Sequence, residues 1–267
     1  MEIYTDIAAE MFGCEHGGLP AGVTVSTQSE NDITVTRVSI ENDNLAKTRG
    51  IYTTIDMPNM AYIDDHNEKY ITAVATQLKA LLPREGLILV AGLGNPAVTA
   101  DALGPRTAEK IFVTRHLDKT ADILPLKLRE VASFAPGVEG KTGMQTGEVL
   151  RSIVKKTSPA CVICVDSLCT ASAQRLGCTV QITNAALVPK SNPTQKINSN
   201  VLGVPVIAAG VPTVMQAGET IEGAEALVVC PKEIDAIIRR GSNVLSLAIN
   251  KALQTKLAVS ELAYLTI

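Results

Sequence analysis

Residues 87–105 read LILVAGLGNPAVTADALGP, and this stretch decides the predicted fold. Its first five residues, 87–91, form an apolar run that is typical of a fully buried strand. The run ends at Gly92-Leu93-Gly94-Asn95, where the glycines allow a tight turn. Asp101 follows on the loop, and Gly104-Pro105 is typical of a helix start. An acid just beyond the carboxyl end of a buried strand is where open α/β sheets place their chemistry.

A second unit of the same kind lies downstream. Residues 161–165 read CVICV and predict another apolar strand, with Asp166 at its end. Two aspartates at strand ends of one sheet are expected to converge on one cleft. A third apolar run covers 204–209, and helical stretches that alternate with these strands lie near 105–112, 144–157 and 232–256. The alternation predicts an α/β fold: a doubly wound, mostly parallel sheet flanked by helices.

The amino-terminal part of the chain predicts a β extension of this sheet. Residues 33–40, ITVTRVSI, alternate with β-branched side chains, and residues 50–55 are the expected partner strand. Asp65 is expected to cap a helix with an apolar face that runs to Leu82. Residues 183–200 predict a long polar loop, and loops of that length are usually functional or mobile. We expect residues 1–267 to form a single domain.

The composition excludes several classes of protein. The chain has 267 residues, of which 46% are hydrophobic and 19% charged, so it can bury a sizeable core. A net charge of −3 argues against binding to nucleic acid and against a polybasic membrane anchor. No apolar run is long enough to span a membrane, and the amino terminus lacks the basic region of a secretory signal. We therefore expect a cytoplasmic protein that keeps its cysteines as thiols.

Other chemical motifs have weak support. Residues 92–97 match G-x-G-x-x-A in form, but no helix is expected to begin there, so nucleotide binding is not favoured. Cys161-x-x-Cys164 has the spacing of a redox or zinc motif. Residues three apart in a strand point to opposite faces, so two buried structural thiols are the better interpretation. His116 is either a structural histidine or a site residue beside Asp101.

Asp101 and Asp166 are the best candidates for chemistry. The structural alternative makes Asp101 a cap or turn acid and makes Asp166 the cap of a turn at Ser167-Leu168. Should the carboxylates converge, their repulsion keeps one of them protonated. Such a pair can hold a water molecule between a base and an acid, which suits hydrolysis of a peptide or amide bond without a metal or other cofactor.

Several motifs, in matching order, resemble the germination proteases, the spore endopeptidases of endospore-forming bacteria. The resemblance covers nearly the whole chain, and its most specific part is Gly92 to Asn95 followed by Thr99 to Pro105, which is similar to G-L-G-N…T-P-D-A-L-G-P. The other segments that carry it are TDIAAE at 5–10, GIYTTI at 50–55, TRHL at 114–117, APGV at 135–138, GKTG at 140–143, VDSL at 165–168, GVPVIA at 203–208 and GVPTV at 210–214.

The resemblance implies an aspartic endopeptidase unlike pepsin, with Asp101 and Asp166 as the catalytic residues. It implies small acid-soluble spore proteins as substrates, the spore core or forespore as the location, and a homotetramer from a family made as zymogens. It also implies a phosphorylase/hydrolase-like fold, as in the hydrogenase-maturation peptidases. By motif position, Asn95 and His116 are supporting residues that could orient the site or donate to the oxyanion.

The chain departs from the family pattern at three places, and two alternatives stay open. Only four residues precede Thr5 where the family has a pro-segment, which argues against zymogen control by its removal. The family's A-A-R-S becomes CTAS at 169–172, and its glycine-rich loop is replaced by residues 189–195. The altered loop favours a non-catalytic paralogue with a binding or regulatory role. The other alternative is a metal-dependent maturation-type peptidase, with Asp101, Asp166 and His116 as the ligands.

Overall fold

The computed structural model describes residues 5–12, 18–42, 47–117, 128–187, 196–217 and 227–266. The strands are β1 (Val23–Glu30), β2 (Ile33–Ile40), β3 (Gly50–Asp56), β4 (Ile88–Gly92), β5 (Val131–Phe134), β6 (Cys161–Thr170), β7 (Thr179–Thr183), β8 (Val206–Gln216) and β9 (Val228–Val229). The helices are α1 (Ala8–Phe12), α2 (Glu68–Leu81), α3 (Leu103–Ala108), α4 (Glu139–Thr142), α5 (Thr146–Thr157), α6 (Ser199–Leu202), α7 (Ile234–Leu253) and α8 (Val259–Leu265).

All described strands belong to one mixed sheet. Its order is β1-β2-β3-β7-β8-β6-β4-β5, and β9 pairs with the end of β8. The β8-β6-β4-β5 part is parallel, whereas β1, β2, β3 and β7 are joined by antiparallel pairs. The parallel strands meet at one carboxyl-terminal edge. The predicted α/β sheet with an amino-terminal β extension is therefore confirmed.

Helices cover both faces of the parallel strands, as the apolar sequence of β6 requires. Cys161, Ile163 and Val165 pack in the larger core with side chains of α2, α3 and α7. Val162 and Cys164 point to the other face and pack against side chains of α5 and α6. Because alternate residues of β6 serve two cores, every residue of the strand is buried.

The amino-terminal extension contains one strand more than the sequence pattern indicates. The predicted strands at 33–40 and 50–55 are confirmed as β2 and β3, which pair with each other. β1 was not predicted, because six of its eight residues are exposed and its sequence lacks the alternation of apolar and polar residues that marks a half-buried strand. The signal for it is the two-residue turn between β1 and β2, where Asn31 has a φ of 55°. Asparagine is favoured at such a hairpin position.

Several helix boundaries differ from the sequence predictions. α2 begins at Glu68 after Asn67, so Asp65 is not its cap; Asp65 instead lies 2.6 Å from the Arg239 guanidinium. α3 begins before Pro105 and ends at Ala108, four residues earlier than predicted. The stretch predicted as helical at 144–157 is α5, which begins two residues later at Thr146. The short helix α4 precedes it and ends at Thr142, before Gly143, which has a φ of 68° in the left-handed region.

The segment predicted as a polar loop at 183–200 is partly structured. Leu187 and Ile197 form an isolated antiparallel bridge, and α6 begins at Ser199. Residues 188–195, which include the altered loop at 189–195, lie outside the described residues. Within the described ranges, no helix is both long enough and apolar enough to cross a membrane. The prediction of a single domain over 1–267 stays a prediction.

Candidate active site

The turn after β4 is tied to the neighbouring strand β6. The Leu93 N–H donates to the Val165 carbonyl over 2.8 Å. Gly94 has a φ of 115°, and a Cβ added there would lie 2.1 Å from the Asp101 carbonyl oxygen and 3.2 Å from its carboxyl group. Only glycine therefore fits at position 94, because both the backbone conformation and the space exclude a side chain. The close approach of Gly94 to Asp101 fixes the conformation of the loop that joins β4 to α3.

Asp101 ends the short 3-10 turn Thr99–Asp101 at this edge. Its Oδ2 accepts a hydrogen bond of 2.7 Å from the Asn95 N–H, and the residue is half-buried. The sequence interpretation of Asp101 as a helix cap is not supported, because α3 has Ala102 at that position. Asn95 thus reaches Asp101 through its main chain, while its side-chain oxygen accepts from the Ala97 N–H.

Asp166 lies within β6 rather than at its end. The strand continues to Thr170, so no turn at Ser167-Leu168 exists for Asp166 to cap, and that prediction is wrong. The register explains the placement: β4 pairs with β6 as far as Gly92 opposite Val165, and Asp166 is the next residue of β6. Asp166 is 7% exposed, and its Oδ1 accepts from the Ser167 N–H over 2.8 Å.

The loop that carries Asp101 packs against β6 and β8 beside Asp166. Gly104 approaches the Val165 carbonyl so closely that a Cβ would lie 2.4 Å from it. On β8, the Thr213 hydroxyl donates to the Ala100 carbonyl over 2.8 Å. These contacts hold the loop at the residue before Asp166, so the structure brings both aspartates to the carboxyl-terminal edge of neighbouring parallel strands.

Gly210 and Gln181 adjoin Asp166, and sequence reasoning assigned them no role. Gly210 pairs with Asp166 on one side and with Gln181 on the other, so the three residues stand at one level of the sheet. A Cβ at Gly210 would lie 2.3 Å from the Asp166 carbonyl oxygen. The signal was a glycine inside an apolar strand, which marks a close backbone approach.

His116 lies at the opposite edge of the sheet. The N–H groups of Thr114 and Arg115 both donate to the carbonyl of Val131, the first residue of β5, and Val131 pairs with Ile88, the first residue of β4. The length of β4, about 13 Å at ~3.3 Å per residue, separates this edge from Asp101. The structure therefore does not bring the exposed His116 together with the two aspartates, and the set Asp101, Asp166 and His116 does not form a metal site within one chain.

The thiols of the C-x-x-C motif are structural, as the strand pattern predicts. Cys161 and Cys164 lie on opposite faces of β6, in different cores. Burial raises the pKa of each thiol to about 12. A thiol with such a pKa is protonated near neutral pH and is a poor nucleophile.

The half-buried carboxyl group of Asp101 and the buried one of Asp166, at the carboxyl-terminal edge of the sheet, are of the kind that can act as a general acid and a general base. Each receives a main-chain hydrogen bond, which fixes the orientation of its oxygens. A carboxylate can remove a proton from water, and a protonated carboxyl can donate one to a leaving amine. In the part of the chain that the structure describes, no group of three His, Cys, Asp or Glu side chains could hold a metal ion.

Known proteins resemble this chain in sequence over most of its length. The family model for the germination protease matches residues 15–225. A germination protease of Clostridium perfringens is 37% identical over 286 residues, covering 87% of this chain and 88% of the relative. A germination protease of Caldanaerobacter subterraneus subsp. tengcongensis is 35% identical and covers 97% of both chains.

One solved structure to which the chain is similar is a [NiFe] hydrogenase maturation protease, HycI, from Thermococcus kodakarensis KOD1. It is 16% identical, has a TM-score of 0.39, and the match covers 65% of this chain and 98% of that one.

Proposed function

The chain belongs to the germination protease family, and on that premise we propose that it is an endopeptidase that cleaves small acid-soluble spore proteins with Asp101 and Asp166. The observation that carries the proposal is the joint placement of the two aspartates. The loop of Asp101 is hydrogen-bonded to Val165, the residue before Asp166. Asp166 caps no turn, because β6 continues through it. Asp101 does not cap α3, although it accepts the Asn95 N–H within its own loop, as the turn-acid alternative predicts.

The proposed reaction needs one carboxylate and one carboxyl group. The carboxylate removes a proton from water as the water oxygen bonds to the peptide carbonyl carbon. The protonated partner then donates its proton to the amide nitrogen as the carbon–nitrogen bond breaks. The two protein groups have exchanged protonation states at the end, and exchange with solvent restores them. No covalent intermediate is required.

The remaining features proposed from the family resemblance concern the setting of the enzyme. We propose a homotetramer in the spore core or forespore, which neither binds nucleic acid directly nor inserts into a membrane. Light scattering on the purified protein tests the tetramer directly. A stable monomer that cleaves its substrate at the wild-type rate would contradict the tetramer and leave the catalytic proposal intact.

The test of the catalytic proposal is incubation with a purified small acid-soluble spore protein. Wild type, Asp101→Asn and Asp166→Asn are compared, and the products are identified by mass spectrometry. Discrete fragments from wild type alone support the aspartate endopeptidase and define its cleavage sequence. Fragments from an Asp→Asn variant in wild-type amounts would contradict the role of that aspartate. Absence of cleavage by folded wild type would favour the non-catalytic alternative.

A further inference from the structure

The second half of β6 needs support that the sheet does not supply on the side of β4. Pairing between β4 and β6 ends at Val165, although β6 continues through Asp166 to Thr170. Pairing with β8 continues on the other side, but its register shifts between Leu168 and Cys169. Asp166 therefore stands on a strand segment with one regular neighbour and an irregularity two residues away.

The segment around α1 contacts this part of β6. The Asp6 N–H donates to the Cys169 carbonyl over 2.9 Å, and the Cys169 N–H donates to Asp6 Oδ2 over 2.7 Å. Ile7 and Ala9 also form a small apolar cluster with Leu168 of β6. We call the contacts of Asp6 and Glu10 with Cys169, Thr170 and Ala171 the amino-terminal clamp.

Glu10 is the most strongly bound member of the amino-terminal clamp. Its Oε1 accepts from the Thr170 hydroxyl and lies 3.4 Å from Arg175 Nε. Its Oε2 accepts from the Ala171 N–H over 2.9 Å and from the Thr5 hydroxyl. The side chain is only 10% exposed, so these donors have little access to water as an alternative partner. Removing the carboxylate would leave buried donors unsatisfied.

Arg175 connects the amino-terminal clamp to the antiparallel half of the sheet. Arg175 follows β6 in the chain, and its guanidinium lies 2.6 Å from Asp56 at the end of β3. The same Asp56 oxygen accepts from the Thr179 hydroxyl at the start of β7 over 2.6 Å. Charged groups thus join α1, the end of β6 and the antiparallel strands into one connected set.

We propose that Glu10 is a positioning residue for Asp166. This inference rests on the proposed function, because it assigns Glu10 a part in that reaction. Glu10 holds the end of β6 by its hydrogen bonds with Thr170 and Ala171, with Arg175 as its charged partner, and so keeps Asp166 aligned with the loop of Asp101. A displacement of about 1 Å in a reacting group can cost 10²-fold in rate, so a loosened strand is expected to slow the chemical step.

The test compares Glu10→Gln with the matched control Asp65→Asn. Asp65 is also a partly buried carboxylate, and it is paired with Arg239 and Arg240 of α7 rather than with β6. Glutamine keeps the size of Glu10, but only one of its two terminal atoms can accept hydrogen bonds, whereas both carboxylate oxygens of Glu10 accept them. We expect Glu10→Gln to lower kcat about 10- to 100-fold with KM unchanged, at a temperature at which both variants remain folded. The control is expected to keep the wild-type kcat even when its Tm falls equally.

Hydrogen exchange supplies a readout that does not depend on activity. We expect the amides of Cys169 and Ala171 to exchange faster in Glu10→Gln and to stay at the wild-type rate in Asp65→Asn. Wild-type kcat in Glu10→Gln would overturn the proposal, and so would unchanged exchange at both amides. If wild type itself cleaves no spore protein, the proposed function fails, while the exchange rates still decide whether Glu10 holds the end of β6.

Discussion

At the amino-terminal edge of the parallel strands, buried polar side chains form hydrogen bonds with main-chain N–H and carbonyl groups. Gln254 bonds both the N–H and the carbonyl of Arg129, and Asn250 bonds the Phe112 N–H and the Lys110 carbonyl. Thr114 donates to the Arg129 carbonyl and accepts from the Val131 N–H. At the carboxyl-terminal edge, Asp101 and Asp166 accept main-chain N–H groups beside a turn that only glycine can make.

The difference between the two edges separates two kinds of motif. The TRHL segment at 114–117 is as distinctive in sequence as the segment around Asp101, yet its threonine joins the loop to β5 by hydrogen bonds. Its histidine is exposed at an edge without either aspartate. A segment that matches a family motif therefore need not lie near the two aspartates. Motifs beside the aspartates and motifs with a purely structural role differ in the edge of the sheet on which they lie. The direction of the strands decides that edge.

Substitutions of the titratable side chains at the two edges, two aspartates at one and a histidine at the other, give the largest expected contrast in kcat. We expect Asp101→Asn and Asp166→Asn each to lower kcat by about 10²- to 10⁴-fold, because the amide cannot accept or donate the proton. His116→Ala is expected to keep kcat within about twofold, because surface changes away from the site have small effects. Cleavage rates with a spore-protein substrate check both. A large loss in His116→Ala would return the histidine to the site, through a partner chain or a rearrangement.

The turn at Gly94 allows a test of the backbone that holds Asp101. Gly94→Ala forces a side chain into a positive φ and against the Asp101 carbonyl, so we expect a loss of about 2–4 kcal/mol in unfolding free energy together with activity. Gly143→Ala is the matched control, since Gly143 has a φ of 68° but no atom within 4 Å of the added Cβ. It should cost about 1 kcal/mol and leave kcat unchanged. Equal losses of unfolding free energy and of kcat in the two variants would show that the close approach of Gly94 to Asp101 contributes nothing to stability or activity.

Arg129 allows the complementary test at the amino-terminal edge. Its guanidinium donates to the carbonyls of Pro83, Arg84, Glu85 and Gly86, where the chain leaves α2 and enters β4. Arg129→Met should lower the unfolding free energy by about 1–2 kcal/mol, because several carbonyls lose a donor. Urea unfolding measures the change, with exposed Arg151→Met as the control. A change in kcat without a change in the unfolding free energy would contradict a purely structural role for Arg129 at this edge.

Thiol labelling gives the smallest expected effect on activity. Because burial raises the pKa of Cys161 and Cys164 to about 12, both thiols stay protonated at pH 8. A thiol reagent should therefore modify exposed Cys230 and spare this pair, and cleavage should continue. Peptide mapping identifies the labelled positions. Inactivation that follows labelling of Cys164 would mean that β6 opens in solution.

Strong local patterns predicted a large part of the fold. The apolar runs at 87–91 and 161–165 predict β4 and the first half of β6, because a strand buried on both faces needs continuous apolar sequence. The alternation at 33–40 predicts β2, because a strand that is buried on one face only alternates apolar and polar residues. β1, β5, β7 and β9 were not predicted. β1 and β5 are edge strands with few apolar contacts, whereas β7 is a five-residue strand whose burial between β3 and β8 depends on tertiary pairing.

The sequence by itself determined that two aspartates follow or interrupt apolar strands, that Cys161 and Cys164 are buried structural thiols and that the chain resembles germination proteases. Those features depend on neighbouring residues and on periodicity, which a sequence records directly. Only the tertiary structure decided that β6 continues past Asp166, that His116 lies at the other edge and that Glu10 bonds the end of β6. Each of these depends on where two strands stop pairing or on residues such as Glu10 and Thr170 that are distant in the chain, and local patterns contain no information on either.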